Sequence, residues 1–269
     1  MSISHYHTAA ITGASAGIGA EFARQLAAKG TNLILIARRK ARLDDLAEEL
    51  YRKHAISVDT IQADLSDPEA VAKVESRLSD ISTLDLLVNN AGFGSSGHFF
   101  WMDPEQHYKM LQVHVVASVH LTHSVLPGMV SRKRGWIINV ASVAAFLPFN
   151  SVLYPSTKAF LVSFSQALST ELHNTGVHVQ ALCPGFTITE FHDVVGIDRS
   201  IAPKFMWLPA ERVVSTSLNA LQRGSVIVVP GITYRFIVAL ARIPLVSSIV
   251  LSFATSRVVK RRIHHDQHP

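Results

Sequence analysis

The chain has 269 residues, 48% hydrophobic and 17% charged, a composition that excludes intrinsic disorder and can bury a core without staples. Its single cysteine, Cys183, excludes an internal disulfide and a multi-thiolate zinc site, and predicts a reducing, cytoplasmic setting. The net charge is +5, but Arg257, Lys260, Arg261 and Arg262 against Asp266 supply +3 of it, so the nearly neutral body argues against nucleic-acid binding.

The N-terminal MSISHYHTAAITG has no basic segment followed by an apolar run, so no secretory signal is expected. Short β-rich runs follow at Ala9–Thr12, Leu33–Ala37, Val58–Gln62, Leu84–Asn89, Trp136–Ala141, His178–Cys183 and Ser225–Val229, with helix-like segments between them. This alternation predicts a seven-stranded parallel sheet covered by helices. The first helix is expected through Glu21–Lys29, closed by Gly30. Asp67-Pro68-Glu69 and Asp103-Pro104-Glu105 each combine an N-cap acceptor with proline at the first helical position, which places two more helix starts. No linker composition or internal repeat divides the chain. The expected organisation is one catalytic domain over residues 1–230, with an apolar, basic-tailed extension over 231–269.

Thr12-Gly13-Ala14-Ser15-Ala16-Gly17-Ile18-Gly19 runs from the first strand straight into a helix. Small residues let the backbone approach a pyrophosphate, and a helix N-terminus offers unpaired N–H groups and a favourable dipole. Tight strand–helix turns also need glycine for steric reasons, so the flanking strand and helix carry the dinucleotide reading. The second strand ends in Arg38-Arg39, where many dinucleotide folds place an acid for the ribose hydroxyls. Arginine there suggests a 2′-phosphate and hence NADP(H), although Lys40 and Arg42 would also suit a solvated basic patch.

Tyr154 and Lys158 stand four apart in a helix-like run and so share a face. An ammonium near a phenol stabilises the phenolate and brings a pKa of about 10 toward neutrality. Ser142, twelve residues earlier, can hold a carbonyl or hydroxyl oxygen. Alone, a Tyr-x-x-x-Lys pair also arises from a core tyrosine beside an exposed lysine.

Together with Asp64-Leu65, Asn89-Asn90-Ala91-Gly92 and Pro184-Gly185, these motifs appear in the order found in the short-chain dehydrogenase/reductase family, which residues 7–230 resemble. The resemblance implies a single Rossmann-like, doubly wound α/β domain. By the same resemblance Gly13, Ser15, Gly17, Ile18 and Gly19 would hold the pyrophosphate, and Arg38, with Arg39 beside it, would meet the 2′-phosphate. Asp64 and Leu65 would border the adenine, Asn90 would contact the cofactor, and Pro184, Gly185 and Thr187 would frame the nicotinamide. Lys158 would also bind the nicotinamide ribose, Ser142 would orient the substrate oxygen, and Tyr154 would transfer the proton. No metal is implied.

His114 departs from the pattern, standing where the family usually has an asparagine that helps to hold a water linking the lysine to solvent. Histidine also donates and accepts, so an altered relay sensitive to its protonation is expected, against the alternative of a packed helix residue. The loop from Ser142 to Tyr154 is about one residue shorter than the family's.

Phe93, Phe146, Phe149, Phe191 and Trp207, with Phe99, Phe100 and Trp101 nearby in sequence, suggest a hydrophobic carbonyl or alcohol substrate, although core packing explains many such aromatics. Ile243–Ser256 is uncharged; as a helix it would reach roughly 21 Å, short of the ~30 Å bilayer core. Two readings remain for it: a packed helix, which we place first, and a surface anchor on anionic lipid backed by the basic tail. The resemblance further implies a homodimer or homotetramer through helices near Glu105–Val130 and Val152–Asn174, which apolar residues such as Leu121, Val125 and Phe164 permit. The expected function is NADP(H)-dependent interconversion of a ketone and a secondary alcohol. The alternative is a cofactor-binding sensor that has lost turnover.

Overall fold

A computed structural model of the chain describes residues 6–94, 99–147, 151–190 and 202–242. Seven parallel strands form the central sheet: β1 (Thr8–Thr12), β2 (Asn32–Ala37), β3 (Val58–Gln62), β4 (Leu84–Asn89), β5 (Gly135–Val140), β6 (Val177–Leu182) and β9 (Ile227–Val228). Two short strands, β7 (Thr187–Ile188) and β8 (Leu208–Pro209), pair with each other outside it. The sheet order is β3-β2-β1-β4-β5-β6-β9, so the chain reverses direction of winding between β1 and β4. In such sheets ligands bind beyond the carboxyl ends of the strands at this switch point.

The strands are apolar on both faces because both are covered. Ala9 and Ile11 of β1, Leu33 and Leu35 of β2, and Trp136 and Ile138 of β5 face one core. That core is completed by α1 (Gly17–Ala27), α2 (Lys40–His54), α7 (Ala210–Leu221) and α8 (Ile232–Ala241). Ala10, Ile34, Ile36 and Ile137 face the other, against α3 (Pro68–Ser79), α5 (Ala117–Ser131) and α6 (Leu153–Glu171). Alternation along each strand thus feeds two hydrophobic layers.

The two expected caps form as read. Asp67 accepts from the Glu69 N–H at 2.9 Å, and Asp103 accepts from the Glu105 N–H at 3.0 Å at the start of α4 (Pro104–Leu111). Elsewhere the boundaries move. The first helix opens at Gly17 rather than Glu21, because the glycine turn itself supplies its first residues. The seventh run contracts to Ile227–Val228, which among the described residues pairs only with β6.

A π turn at Gln112–Val116 joins α4 to α5 in one continuous rod, Pro104–Ser131. By length and composition this rod could cross a membrane, yet Leu121, Val125 and Met129 are buried against the sheet. Leu121 and Val125, named above as permitting an interface, belong to the core, and the partly buried Phe164 packs against it. Tyr108, Leu111, Val116, Val130 and Phe160 are among the large apolar residues these helices expose. Of the apolar extension, α8 is seen: Tyr234 and Val238 are buried, while Ile232, Phe236 and Leu240 line its outer side. Ile243–Ser256 and the basic tail lie outside the described residues.

Candidate active site

Backbone geometry at the end of β1 is set by Thr12 and Asn90. The Thr12 hydroxyl donates to Val88 O at 3.3 Å and accepts from the N–H groups of Asn90 and Ala91, both at 2.9 Å. The Asn90 side-chain amide donates to Thr12 O at 2.9 Å and Gly13 O at 3.3 Å. Gly13 and Gly17 have φ of 64° and 55°, and a Cβ on Gly19 would sit 2.4 Å from Gly13 O. The turn therefore tolerates no side chains at these points, where Asn90, Ala91, Thr189 and its own backbone pack close. Ala16 provides no side-chain cap to α1. A helix N-terminus without a side-chain cap, opened by a glycine turn, fits a pyrophosphate. Asn90, expected at the cofactor, clamps the turn through these contacts.

At the end of β2 the arginines diverge. Arg39 reaches back to the glycine turn, donating to Ser15 Oγ through Nε at 3.1 Å and Nη2 at 3.0 Å. Arg38 Nη1 stands 3.9 Å from the Asp64 carboxylate. Arg38, Gln62 and Asp64 border a cavity of about 460 Å³ against α3, where the adenine was expected. Leu65 is buried in the core beneath it.

Ser142 follows β5 and caps a short 3₁₀ turn, its Oγ accepting from Ala144 N–H at 3.1 Å. Its hydroxyl is a hydrogen-bond partner of the Tyr154 phenol. Tyr154 and Lys158 lie on one face of α6, with Lys158 Nζ 5.7 Å from the centre of the phenol ring. The expected triad thus converges. Burial pushes the Tyr154 phenol above its ordinary value, with the Ser142 hydroxyl opposing it, and burial lowers Lys158 to about 8. Desolvation is the largest influence on the phenol, and Lys158 Nζ donates to Val140 O at 2.8 Å.

The π turn carries His114 into the same place, fully buried. Its Nε2 accepts from the Phe93 N–H at 3.0 Å, so the proton sits on Nδ1 and is donated to the Thr157 hydroxyl at 2.9 Å. Thr157 in turn donates to Tyr154 O at 2.8 Å. Burial and the neighbouring Lys158 charge hold the imidazole well below its usual range. His114 thus joins the β4 loop to α6 from a fully buried position that disfavours its charged form. A Cβ on Gly92 would stand 3.0 Å from His114 Nε2 and 3.5 Å from Lys158 Nζ, so the imidazole, the ammonium and the β4 loop meet at one point.

Beyond β6, Pro184 O accepts from Val143 N–H at 3.0 Å and Thr187 Oγ1 donates to Gly185 O at 3.0 Å. Tyr234, from α8, locks this frame: its hydroxyl accepts from Phe186 N–H at 2.9 Å and donates to Met206 O at 2.7 Å. Around the site Phe93 packs edge-on against His114, Trp207 lies beside Phe186, and the Arg242 guanidinium covers Phe146 at 4.8 Å. Phe100 and Trp101 are exposed, and Phe149 and Phe191 lie outside the described residues. Sequence reading missed Thr12, Thr157 and Tyr234. It also missed a buried chain in which Asn89 donates to Asn139 at 2.9 Å and Asn139 to Ser165 at 2.9 Å, tying β4, β5 and α6 together.

Residues 7–199 match the short chain dehydrogenase family. The chain is 38% identical over 191 residues to a very-long-chain 3-oxoacyl-CoA reductase of Laccaria bicolor, covering 69% of this chain but 56% of that one. It thus spans little more than half the length of such relatives. An uncharacterized oxidoreductase of Staphylococcus saprophyticus is 32% identical over 84% of this chain and 96% of its own. Among solved structures, a Sphingobium yanoikuyae short-chain dehydrogenase in complex with NADPH is 33% identical with a TM-score of 0.80, covering 94% of this chain and 95% of its own. A bulky-bulky ketone specific alcohol dehydrogenase from Comamonas testosteroni gives 32% and 0.78, covering 91% and 95%. The chain belongs to the short-chain dehydrogenase/reductase family of NAD(P)-dependent oxidoreductases.

Proposed function

We propose that the chain interconverts a ketone and a secondary alcohol on a hydrophobic substrate with NADP(H). The observation that carries this is the meeting of Ser142, Tyr154 and Lys158 at the carboxyl ends of β5 and β6, next to the glycine turn. A bound nicotinamide supplies or accepts the hydride. The chain's own residues do the rest. The glycine turn binds the pyrophosphate, and the Pro184–Thr187 frame orients the nicotinamide. Ser142 holds the substrate oxygen, Tyr154 Oη gives or takes its proton, and the Lys158 ammonium stabilises the phenolate and binds the ribose.

Arg38 and Arg39 support NADP(H), as does the NADPH bound to the Sphingobium relative. Phe93, Phe146 and Trp207, with the relatives' bulky or long-chain substrates, support a hydrophobic substrate. The outer stripe of Ile232, Phe236 and Leu240 on α8, continued in sequence by Ile243–Ser256 and the basic cluster, supports peripheral contact with an anionic membrane from the cytoplasmic side. Val130 and Phe160 support a homo-oligomer through the α5 and α6 faces.

The test is turnover of a panel of ketones with NADPH and NADH. Preference for NADPH and for long or bulky apolar ketones is expected. Cofactor binding without turnover of any ketone would favour the sensor reading, and preference for small polar ketones would remove the hydrophobic substrate.

A further inference from the structure

The segment after β6 crosses the glycine turn and ends on the arginines of the β2 terminus. Thr189 packs over Gly17, where an added Cβ would meet Thr189 Cγ2 at 3.2 Å. Glu190 then bridges two guanidinium groups, with Oε1 2.5 Å from Arg39 Nη2 and Oε2 2.7 Å from Arg42 Nη1. The same Arg39 is the one bonded to Ser15 of the glycine turn. One carboxylate therefore engages Arg39 and Arg42 and offsets part of their charge, next to Arg38, the arginine that the family resemblance puts at an adenosine 2′-phosphate.

Carboxylate and phosphate ask for the same donors, since both accept paired N–H groups from arginine. On the NADP(H) reading above, on which this inference rests, the phosphate must displace Glu190 from Arg39 or lie close to its negative charge. NADH, with a hydroxyl at that position, meets neither obstacle. We propose that Glu190 is a specificity-determining residue for the cofactor, whose carboxylate holds the preference for NADPH below what the arginines alone would give. Glu190 is 36% exposed and Arg39 43%, so the ion pairs are solvent-screened and the effect is several-fold rather than thousands-fold.

The experiment is titration of full-length wild type and Glu190→Gln with NADPH and NADH, reading dissociation constants at low and high salt. The glutamine keeps the size and removes the charge at a surface position. The expected result is NADPH binding tightened about fivefold, NADH changed by less than about twofold, and a gain that shrinks in high salt. An unchanged ratio of the two affinities, or equal weakening of both, would overturn the proposal. The cofactor reading is judged separately: it fails if wild type binds both alike and the Arg38→Ala/Arg39→Ala double variant alters neither. The Glu190→Gln ratio decides the role of Glu190 in either case.

Discussion

The ring of Tyr234 occupies the space that a side chain at Gly185 would need: a Cβ there would stand 2.1 Å from Cζ and 2.3 Å from both Cε atoms. Tyr234 sits in a helix beyond the last strand, and Gly185 sits in the frame expected around the nicotinamide. The C-terminal helix is thus part of what shapes the cofactor end of the site.

Gly185→Ala is therefore expected to destabilise the protein by about 2 kcal/mol through overpacking, and to weaken cofactor binding. In a Tyr234→Ala background the same change should cost much less, so a double-mutant cycle by thermal unfolding reads the contact directly. Equal cost in both backgrounds would mean the contact has no energetic weight.

Thr12→Val removes one donor and leaves the N–H groups of Asn90 and Ala91 without their shared acceptor. A loss of about 2 kcal/mol is expected from urea unfolding, together with weaker NADPH binding, because the glycine turn loses its clamp. Stability unchanged within about 0.5 kcal/mol would show that water replaces the hydroxyl at no cost.

His114 gives a pH prediction with a definite sign. The folded chain keeps the imidazole neutral, whereas the unfolded chain protonates it near 6.5, so acid favours unfolding. Stability from this residue is intact above pH 6.5 and falls below it by about 1.4 kcal/mol per pH unit while the folded imidazole stays neutral. His114→Asn should lose that component, and kcat/KM of the wild type should show no inflection owed to His114 between pH 6 and 7. An inflection there that vanishes in His114→Asn would restore the titrating relay.

Much of the architecture was legible because strands buried on both faces read as continuous apolar runs, as in Ala9–Thr12, and because Asp67 and Asp103 announce their helices. The triad was legible because Tyr154 and Lys158 share a helix face at a spacing that local geometry guarantees. What stayed hidden depends on contacts distant in sequence. That Leu121 and Val125 point into the core was hidden because the π turn shifts the phase of a rod whose apolar residues do not mark one face. His114 took its character from Phe93 and from Thr157, 43 residues away. The Tyr154 and Lys158 shifts follow from burial, which spacing does not reveal.

The central claim is that Tyr154 carries the proton in an NADP(H)-dependent ketone reduction. It is tested most directly by comparing wild type with Tyr154→Phe in two assays, NADPH affinity and turnover of a hydrophobic ketone. The account predicts NADPH binding within about twofold of wild type and turnover reduced by about 10²–10⁴. Turnover that survives Tyr154→Phe within tenfold would contradict it.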